Sequence, residues 1–461
     1  MAIETINKKI FKAYDIRGVY PDEINEKVFW RIGRAFVELL RNRFGYNQNN
    51  KKDIVVGRDM RLSSEKLFKA LSQGIISGGF NLIDIGLVSS DILFFASNKL
   101  NLPSIMITAS HNPPQYNGLK MTFEQGLPII QKEKLKRYVL SGKFSNNEAK
   151  GKIKKNNIII KDFVDHAVSF VDLDSLKPLK IVIDASNGMA GKIAPLVFKK
   201  TPYQIIPLYF ELDGSFPHHL SSPVVEENLA DCRQLVIKEK ADLGLFFDGD
   251  ADRVAFVDEK GEIINPSLIG ALLIKHFLSK NKKSQTVVYD LISSRIVPET
   301  IENYRGRAVQ ERVGYTFIRK TMQQTKAILG IESSGHFYFR DNYYGDSGLI
   351  AALIVSEILS QSNVPFSRII EPFRKYFQSK EINFYIREKR IFIKNIAQYF
   401  QNANRISYLD GISVFYPDWW FNLRPSNTEP LLRLNVEAKT QKLMEEKKEY
   451  LINLIKSVSK D

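Results

Sequence analysis

The stretch ITASHNPPQYNGLK ends an apolar run with a serine and a histidine, Ser110 and His111. A serine nucleophile needs a base within hydrogen-bond reach. An adjacent histidine rarely folds back onto its neighbour's hydroxyl, and the sequence has no G-x-S-x-G nucleophile elbow. We therefore interpret Ser110 as a hydroxyl that carries a phosphoryl group beside a cation. Pro113, Pro114 and the pair Asn117–Gly118 are expected to form the turn that aims it.

The stretch FFDGDADRVAF alternates three aspartates between two apolar runs: Asp248, Asp250 and Asp252. Three carboxylates this close repel one another unless a cation lies among them, and oxygen-only ligation favours a hard ion such as Mg²⁺. An EF-hand is the rival interpretation, because Glu259 falls at its twelfth position. That loop requires glycine at position six, where this chain has Arg253. A solvated acidic turn is the remaining alternative to a metal site.

The stretch RPSNTEP, residues 424–430, has the composition of a phosphate-binding loop. An arginine can bind a phosphate through two parallel hydrogen bonds. The short donors that surround it complete the predicted set: Arg424, Ser426, Asn427 and Thr428. An arginine in an Asn/Thr turn is also common, so an ordinary structural turn remains open.

Two further loops carry polar side chains that suit a sugar phosphate. GIESSGHFYFRDN offers Glu332, Ser334 and His336, of which the carboxylate and the hydroxyl can bind vicinal sugar hydroxyls. The N-terminal FKAYDIRG places Tyr14 and Arg17 before a helix expected at 25–44. The alternatives are a simple turn for the first loop and a structural ion pair with Asp15 for Arg17.

The elements that must position these loops alternate between strands and helices over the first 370 residues. The first unit reads as strands at 53–57, 81–86 and 104–108, with helices at 62–80 and near 91–99. The pattern recurs from 180 and from 286. We predict three similar α/β domains with mixed, largely parallel sheets, and ligand loops beyond the carboxyl ends of their strands.

The chain changes character after about residue 372, where antiparallel strands and a basic helix at 439–459 indicate a smaller C-terminal α+β domain. The predicted domains carry one loop each, in the order Ser110 loop, aspartate loop, Glu332 loop and Arg424 loop. Their bounds are 1–154, 155–261, 262–372 and 373–461.

The amino-acid composition limits the classes of protein to which this chain can belong. The chain has 461 residues, 44% hydrophobic and 25% charged, with neither an 18-residue apolar run nor an apolar signal-peptide core at its start, so we expect no membrane association. Cys232 shares a helical face with Leu229, Leu235 and Val236, which indicates buried packing. A single buried cysteine predicts a cytoplasmic protein without disulfides.

The net charge of +15 is high enough that nucleic-acid binding has to be considered. Residues 132–157 hold nine Lys/Arg and two acids, a net of +7, which is nearly half of the excess. The segment is expected to be a basic surface connector between domains, and no aromatic platform accompanies it. We therefore expect no nucleic-acid partner.

The complete set of motifs resembles the α-D-phosphohexomutase superfamily, and most closely its phosphomannomutase/phosphoglucomutase branch. Four motifs occur in that family's order along essentially the whole chain: TASHNP, DGDADR, ESSGH and RPSNTEP. Supporting segments are YDIRG (14–18), GRDMR (57–61), NGLK (117–120) and FPHHLSSPVVEENL (216–229). The resemblance implies four domains arranged around a central cleft.

The resemblance also implies an activity. Ser110, resting as phosphoserine, would pass its phosphoryl group to a hexose 1- or 6-phosphate and recover one from the resulting 1,6-bisphosphate, which also serves as activator. Mannose phosphates are the expected substrates, with glucose phosphates as a second possibility. Mg²⁺ would be held by Ser110's phosphate and the three aspartates: Asp248, Asp250 and Asp252.

The resemblance assigns roles to the remaining residues. Arg17 and Arg253 would stabilise charge during transfer, with His111 and Lys120 nearby. The substrate would be bound by the following side chains: Tyr14, Arg253, Glu332, Ser334, His336, Arg424, Ser426, Asn427 and Thr428.

Three positions depart from the family's pattern: Ile292, Tyr315 and Ile331 stand where lysine, histidine and glycine are frequent. They leave the general acid/base and the sugar preference open, and Lys120 or His111 is our hypothesis for the proton-transfer role. A phosphoglucosamine mutase and a metal-dependent sugar phosphatase are the alternative functions. The oligomeric state, monomer or dimer, is open.

Overall fold

The computed structural model describes residues 6–12, 15–45, 53–129, 132–145, 150–281, 283–386, 388–426 and 431–458. The chain divides into two compact units. The first comprises Met1–Ile264 and Ser334–Ser367, and the second comprises Asn265–Ser333 and Arg368–Asp461. Within the described residues, no helix combines the length and hydropathy that a membrane span requires.

The first unit begins with a six-stranded mixed sheet in the order β1-β5-β4-β2-β3-β6. Its strands are β1 (Ile16–Val19), β2 (Asp53–Arg58), β3 (Asn81–Leu87), β4 (Ser104–Ile107), β5 (Tyr116–Thr122) and β6 (Ile153–Lys155). Its helices are α1 (Glu26–Phe44), α2 (Ser64–Ser77), α3 (Ser90–Leu100) and α4 (Lys132–Ser141). Strands β2, β3, β4 and β6 are parallel, whereas β5 runs antiparallel to β4 and β1.

Local sequence explains the main helix of this domain. The Asn25 side chain accepts a hydrogen bond from the Val28 amide and caps the start of α1, while Gly45, at φ 62°, ends the helix in the left-handed region. Apolar residues at helical spacing are fully buried on one face, including Ile32 and Phe36. The packing of α1 on α2 and the sheet therefore gives this domain its core.

A five-stranded sheet in the order β11-β10-β9-β7-β8 follows in the same unit. Its elements are α5 (Ile159–Val168), β7 (Lys180–Asp184), α6 (Ala190–Phe198), β8 (Gln204–Leu208), α7 (Ala230–Glu239), β9 (Leu243–Phe247), β10 (Val254–Val257) and β11 (Ile263–Ile264). Strand β7 is parallel to β8 and β9, and β10 turns back antiparallel to β9. Cys232 on α7 is fully buried, which confirms its predicted packing role.

The third stretch of α/β sequence contributes to both units. In the second unit lie α8 (Pro266–Ser279), β12 (Thr286–Asp290), α9 (Ile296–Asn303), β13 (Arg307–Glu311), α10 (Tyr315–Thr325) and β14 (Leu329–Ile331). Strand β12 is parallel to both β13 and β14. In the first unit lie the antiparallel pair β15 (Phe337–Phe339) and β16 (Gly345–Asp346), then α11 (Gly348–Ser360). Helix α12 (Phe366–Ile370) spans the point where the chain passes from the first unit to the second.

The C-terminal part of the second unit is an antiparallel sheet covered by two helices. Its elements are β17 (Phe377–Gln378), β18 (Ile382–Tyr385), α13 (Lys389–Ala397), β19 (Arg405–Ser407), β20 (Ile412–Phe415), β21 (Trp419–Pro425), β22 (Leu431–Ala438) and α14 (Gln441–Val458). The order is β17-β22-β21-β20-β19, with β18 also paired to β22. The α+β character and the closing helix agree with the sequence prediction.

Two local predictions are wrong. Residues 132–157 are not a plain connector, because they contain helix α4 and the edge strand β6. Asn117 and Gly118 are not in the turn that follows Ser110, because both lie in β5 and pair with Gly18 and Arg17 of β1. The turn itself is formed earlier, where the Asn112 amide donates to Ala109 and the Tyr116 amide donates to Pro113.

Candidate functional site

Ser110 and the aspartate loop lie together in the first unit, although they follow strands of different sheets. Ser110 comes shortly after β4, is 3% exposed, and has a left-handed backbone at φ 51°. Its amide donates to Thr108 Oγ1 at 2.8 Å, and its hydroxyl donates to Asp248 Oδ2 at 2.9 Å. A non-glycine residue at positive φ costs conformational energy and is often associated with functional sites.

The three aspartates form an acidic cluster. Oxygens of Asp248, Asp250 and Asp252 all lie within 4.8 Å of one another, and each residue is buried. Lys120 Nζ donates to Asp250 Oδ2 and Asp252 Oδ2 at 2.6 Å each. The Oδ1 atoms of both these aspartates are buried and have no hydrogen-bond partner among the residues that the structure describes. A buried, oxygen-only set with free lone pairs fits a hard cation such as Mg²⁺.

Helix N-termini hold the aspartate loop in place. The Ser90 amide at the start of α3 donates to the Asp250 carbonyl at 2.9 Å, and the Ser90 hydroxyl donates to the Asp250 carboxylate. The Met189 amide before α6 donates to the Gly249 carbonyl at 2.9 Å. The positive ends of two helix dipoles therefore face an anionic loop, which stabilises its charge. Ser90 was not among the predicted site residues, although its position at a helix start after a strand was a usable signal.

Arg253 connects the aspartate loop to the serine. Its Nε donates to Asp248 Oδ2 at 2.9 Å, and one terminal nitrogen donates to Ser110 Oγ at 3.2 Å. The same nitrogen contacts His111 Nδ1, which lies 3.2 Å from Ser110 Oγ. The expectation that this histidine does not reach its neighbour's hydroxyl is therefore wrong. Arg253 is 4% exposed, so its charge acts where water screens little.

Arg17 on β1 contacts the loop that contains Ser110. Its Nε pairs with Asp15 at 2.8 Å, as the structural interpretation of this arginine proposed, and its guanidinium also donates to the Asn112 side chain. The predicted ion pair with Asp15 is therefore present. The contact with Asn112, two residues after Ser110, places Arg17 beside the Ser110 loop, and its role in stabilising phosphoryl charge stays a prediction.

Burial and charge set the protonation of the cluster. Burial raises the pKa of Asp248 to about 7, although the positive charge of Arg253 opposes the shift. Burial alone would lower the pKa of Lys120, but Asp250 and Asp252 outweigh it and raise that pKa. Burial would likewise raise the pKa of Asp250, but Lys120 lowers it well below its usual range. Lys120 is therefore an ammonium ion held between two carboxylates.

Burial, followed by the charges of Arg253 and Arg17, lowers the pKa of His111 well below its ordinary value. His111 is therefore a neutral imidazole beside the Ser110 hydroxyl. The Arg253 guanidinium on this hydroxyl is a donor that matches the charge of a phosphoryl group on that oxygen.

His336 lies at the start of β15 in the first unit, close to the acidic cluster. Its Nδ1 lies 2.6 Å from Asp346 Oδ2 and 3.9 Å from Asp252 Oδ1. Asp346, which the sequence analysis did not single out, is 1% exposed and orients the imidazole. Ser334 is partly buried two residues earlier.

Glu332 belongs to the second unit, beyond the end of β14. It is 2% exposed and accepts a hydrogen bond from the Gly314 amide at 2.7 Å. Asp290, missed by the sequence analysis, ends β12 fully buried and accepts from the amide and hydroxyl of Ser333 at 2.9 and 2.8 Å. In the sequence, this aspartate begins DLISSR at the end of a strand-like run, and that position could have identified it as a candidate site residue.

Arg424 also belongs to the second unit, on β21. It is 4% exposed and donates to Glu381 Oε2 at 3.1 Å, while Arg433 pairs with the other oxygen of Glu381 at 3.1 Å. Ser426 is 7% exposed, and its amide donates to the Leu431 carbonyl at 2.7 Å. Two guanidinium groups thus share one carboxylate, and the charge of Arg424 also acts on Asp410 and Asp290. The predicted site residues Tyr14, Asn427 and Thr428 lie outside the described residues.

Four family models match successive parts of the chain. Phosphoglucomutase/phosphomannomutase α/β/α domains I, II and III match residues 8–145, 161–261 and 265–376. The C-terminal domain of the same family matches residues 376–454. The architecture is thus three α/β domains with mixed sheets followed by a smaller C-terminal domain.

Individual relatives are similar over nearly their whole length. A phosphomannomutase of Vibrio cholerae is 38% identical, with 97% of this chain and 98% of the relative covered. A phosphomannomutase of Escherichia coli is 36% identical, with 96% and 98% covered. A crystal structure of a phosphoglucomutase/phosphomannomutase family protein from Burkholderia thailandensis superposes with a TM-score of 0.90 at 30% identity and covers 98% of each chain.

Proposed function

The chain belongs to the phosphoglucomutase/phosphomannomutase family, and we propose that it interconverts hexose 1-phosphate and hexose 6-phosphate by way of a phosphoserine at Ser110. Mannose phosphates are the proposed main substrates, with glucose phosphates accepted as well. The observation that carries the proposal is the contact of Ser110 Oγ with Asp248 at 2.9 Å and Arg253 at 3.2 Å. That hydroxyl therefore contacts both a carboxylate of the proposed metal-binding cluster and a guanidinium with a fixed positive charge.

Ser110 would exchange one phosphoryl group with the sugar phosphate in two matching steps. An acceptor hydroxyl of the hexose phosphate attacks the phosphorus and its proton leaves to a base, while the bond from phosphorus to Ser110 Oγ breaks and Oγ takes up a proton from an acid. The hexose 1,6-bisphosphate then returns its other phosphoryl group to Ser110. Arg253 and Arg17 would stabilise the charge on the transferring oxygens, because buried cations act strongly in a site with little water.

Mg²⁺ is the proposed cation, held by Asp248, Asp250, Asp252 and one oxygen of the Ser110 phosphate. When bound, it would neutralise negative charge on that phosphate. The Oδ1 atoms of Asp250 and Asp252, which accept no hydrogen bond from the described part of the chain, support this ligand set. Lys120, which contacts both aspartates, would keep the cluster close to neutral and lie beside the transferring group.

Proton transfer is assigned to Lys120 or His111. Efficient proton transfer favours a pKa near the working pH, whereas the pKa of Lys120 is raised and that of His111 is lowered, so the assignment is based on the position of the two side chains. Their nearness to Ser110 and to the aspartates supports both assignments.

Recognition of the sugar phosphate is assigned to the residues that the resemblance to the family implies. Glu332, Ser334, His336 and Tyr14 would contact the sugar, with Arg253 near the reacting phosphate. The phosphate that does not react would be bound by the loop after β21: Arg424, Ser426, Asn427 and Thr428. The burial of Arg424 and the neighbouring charge of Arg433 support a phosphate site there.

We also propose that the first three domains end at residues 154, 261 and 372. The proposed location is the cytoplasm, and the proposed assembly is a monomer or a dimer. A phosphoglucosamine mutase and a sugar phosphatase are not favoured, because the full-length relatives reported above are phosphomannomutases.

The function is tested by assaying the purified protein with Mg²⁺ and a catalytic amount of hexose 1,6-bisphosphate. Mannose 1-phosphate, glucose 1-phosphate and glucosamine 1-phosphate are compared by kcat/KM, while released inorganic phosphate is measured in parallel. Conversion to 6-phosphates with the mannose substrate leading is the expected result. Steady phosphate release without isomerisation would instead identify a phosphatase.

A further inference from the structure

Arg61 binds the Ser110 loop from behind. Its guanidinium donates to four backbone carbonyls of that loop: Ser110 at 2.7 Å, Asn112 at 2.6 Å, Pro113 at 2.8 Å and Tyr116 at 2.9 Å. The Arg61 side chain is fully buried. One guanidinium therefore fixes both the start and the end of the loop that carries the reactive hydroxyl.

The guanidinium is itself held on its other sides. Asp59, which follows β2, pairs with Arg61 Nε at 3.4 Å and accepts from the Ser64 hydroxyl at 2.7 Å. The Asp59 amide donates to the Ile107 carbonyl at 3.0 Å, so this support is continuous with β4. The guanidinium carbon lies 5.1 Å from the ring centroid of Phe216, within range of a cation–π contact.

Only arginine can make this set of bonds. A guanidinium presents five N–H donors in a rigid plane, whereas a lysine ammonium presents three donors at one point. Four carbonyls distributed along a seven-residue turn are within reach of the fork and not of a single ammonium. The turn also contains Ser110 in a left-handed conformation at φ 51°, which a freed loop would relax.

We propose that Arg61 is a positioning residue for phosphoryl transfer, which holds the Ser110 loop so that Oγ faces Asp248 and Arg253. The inference rests on the proposed mutase function. Arg61 does not touch the transferring group, since its bonds go to backbone oxygens behind the serine. Its loss should therefore lower the rate of transfer while substrate affinity, which depends on other loops, changes little.

The test compares Arg61→Lys with a matched control, Arg41→Lys. Arg41 lies in the same domain, donates to the Gly78 carbonyl and to Glu38, and lies over the Phe80 ring at 5.6 Å, remote from Ser110 in the chain. We expect Arg61→Lys to reduce kcat about 100-fold, as for a displacement of about 1 Å at a reacting atom. KM should change less than about threefold, and the control should keep both constants within about threefold of wild type.

Folding is monitored by thermal unfolding of each variant in the same buffer. Arg61→Ala is assayed with added guanidinium chloride at millimolar concentration, which should restore part of kcat because the ion can occupy the vacated place. If Arg61→Lys does not fold, Asp59→Asn replaces it, and its kcat should fall with KM unchanged. If the wild-type protein isomerises its substrate and the folded Arg61→Lys or Asp59→Asn variant has an unchanged kcat, the inference about Arg61 is wrong and the proposed function stands. Absence of wild-type isomerisation would instead overturn the proposed function.

Discussion

Gly118 lies where strands β1 and β5 meet, directly opposite Arg17. A methyl group at this position would lie 2.1 Å from the carbonyl oxygen of Ile16 and 3.1 Å from that of Thr108. Contacts of a Cβ atom below 3.0 Å are essentially never observed. Gly118→Ala must therefore move β1 away from β5 by about 1 Å, and Arg17 must move with it.

The size of the effect follows from this displacement. Overpacking of this kind costs about 1–3 kcal/mol of stability, with the higher end expected here because the clash is with backbone on both sides. A shift of about 1 Å in a charge-stabilising group costs on the order of 100-fold in rate. We expect Gly118→Ala to fold, to lose about 2–3 kcal/mol, and to retain about 1% of wild-type kcat/KM.

The measurements are urea unfolding and steady-state isomerisation of mannose 1-phosphate, with Gly86→Ala as the control. Gly86 also lies in the first sheet, has φ 78°, and offers open space to a methyl group. Its substitution should cost about 1–2 kcal/mol from backbone strain alone and leave kcat/KM unchanged. A Gly118→Ala variant with the kcat/KM of the control would refute the link between β1 position and catalysis.

Two further predictions concern charge. Lys120→Met should lower kcat by at least about 100-fold, the usual contribution of a general acid or base, and near-normal turnover across pH would exclude Lys120 from proton transfer. On α8, burial and the adjacent Lys280 lower the pKa of His276 to about 4. The unfolded chain, with a histidine pKa near 6.5, binds a proton that the folded chain does not, so stability falls as pH drops from about 6.5 towards 4. Because His276 is only partly buried, solvent screens the Lys280 charge and reduces the energetic effect of the pKa shift. His276→Gln should therefore remove about 1 kcal/mol of that acid sensitivity in urea unfolding at pH 7 and 4.5, whereas equal sensitivity of both proteins would contradict the assignment.

The loops that carry chemistry were predictable because each is a short run of unusual residues at a strand end. The three alternating aspartates and the Ser-His pair need no tertiary information to be noticed. Their meeting within one unit followed from the rule that ligand loops gather at the carboxyl ends of strands. The structure places Ser110 Oγ and Asp248 in hydrogen-bond contact, 138 positions apart in sequence.

The supporting residues were not predictable in the same way. Arg61 binds carbonyls about 50 positions away, and backbone oxygens leave no trace in a sequence. The position of Asp346 beside the imidazole of His336 is visible only in the structure. Helix α4 was missed because its basic composition hid the buried pair Leu135 and Val139, which stand at helical spacing.

The turn after Ser110 shows a different limit. Asn117 and Gly118 form a dipeptide that strongly favours turns, yet both continue a strand. The antiparallel pairing of β5 with both β4 and β1 outweighs this local preference, because the strand is central in its sheet.

The central claim is that phosphoryl groups pass through Ser110 during isomerisation, and one measurement tests it directly. The protein is treated with hexose 1,6-bisphosphate, and its phosphorylation is located by intact-mass and peptide-mass analysis before and after mannose 1-phosphate is added in excess. The account predicts a phosphoryl group on Ser110 that leaves with the sugar as bisphosphate, and neither phosphorylation nor isomerisation in Ser110→Ala. Isomerisation that persists in folded Ser110→Ala, or a phosphoryl group found on another residue, would contradict it.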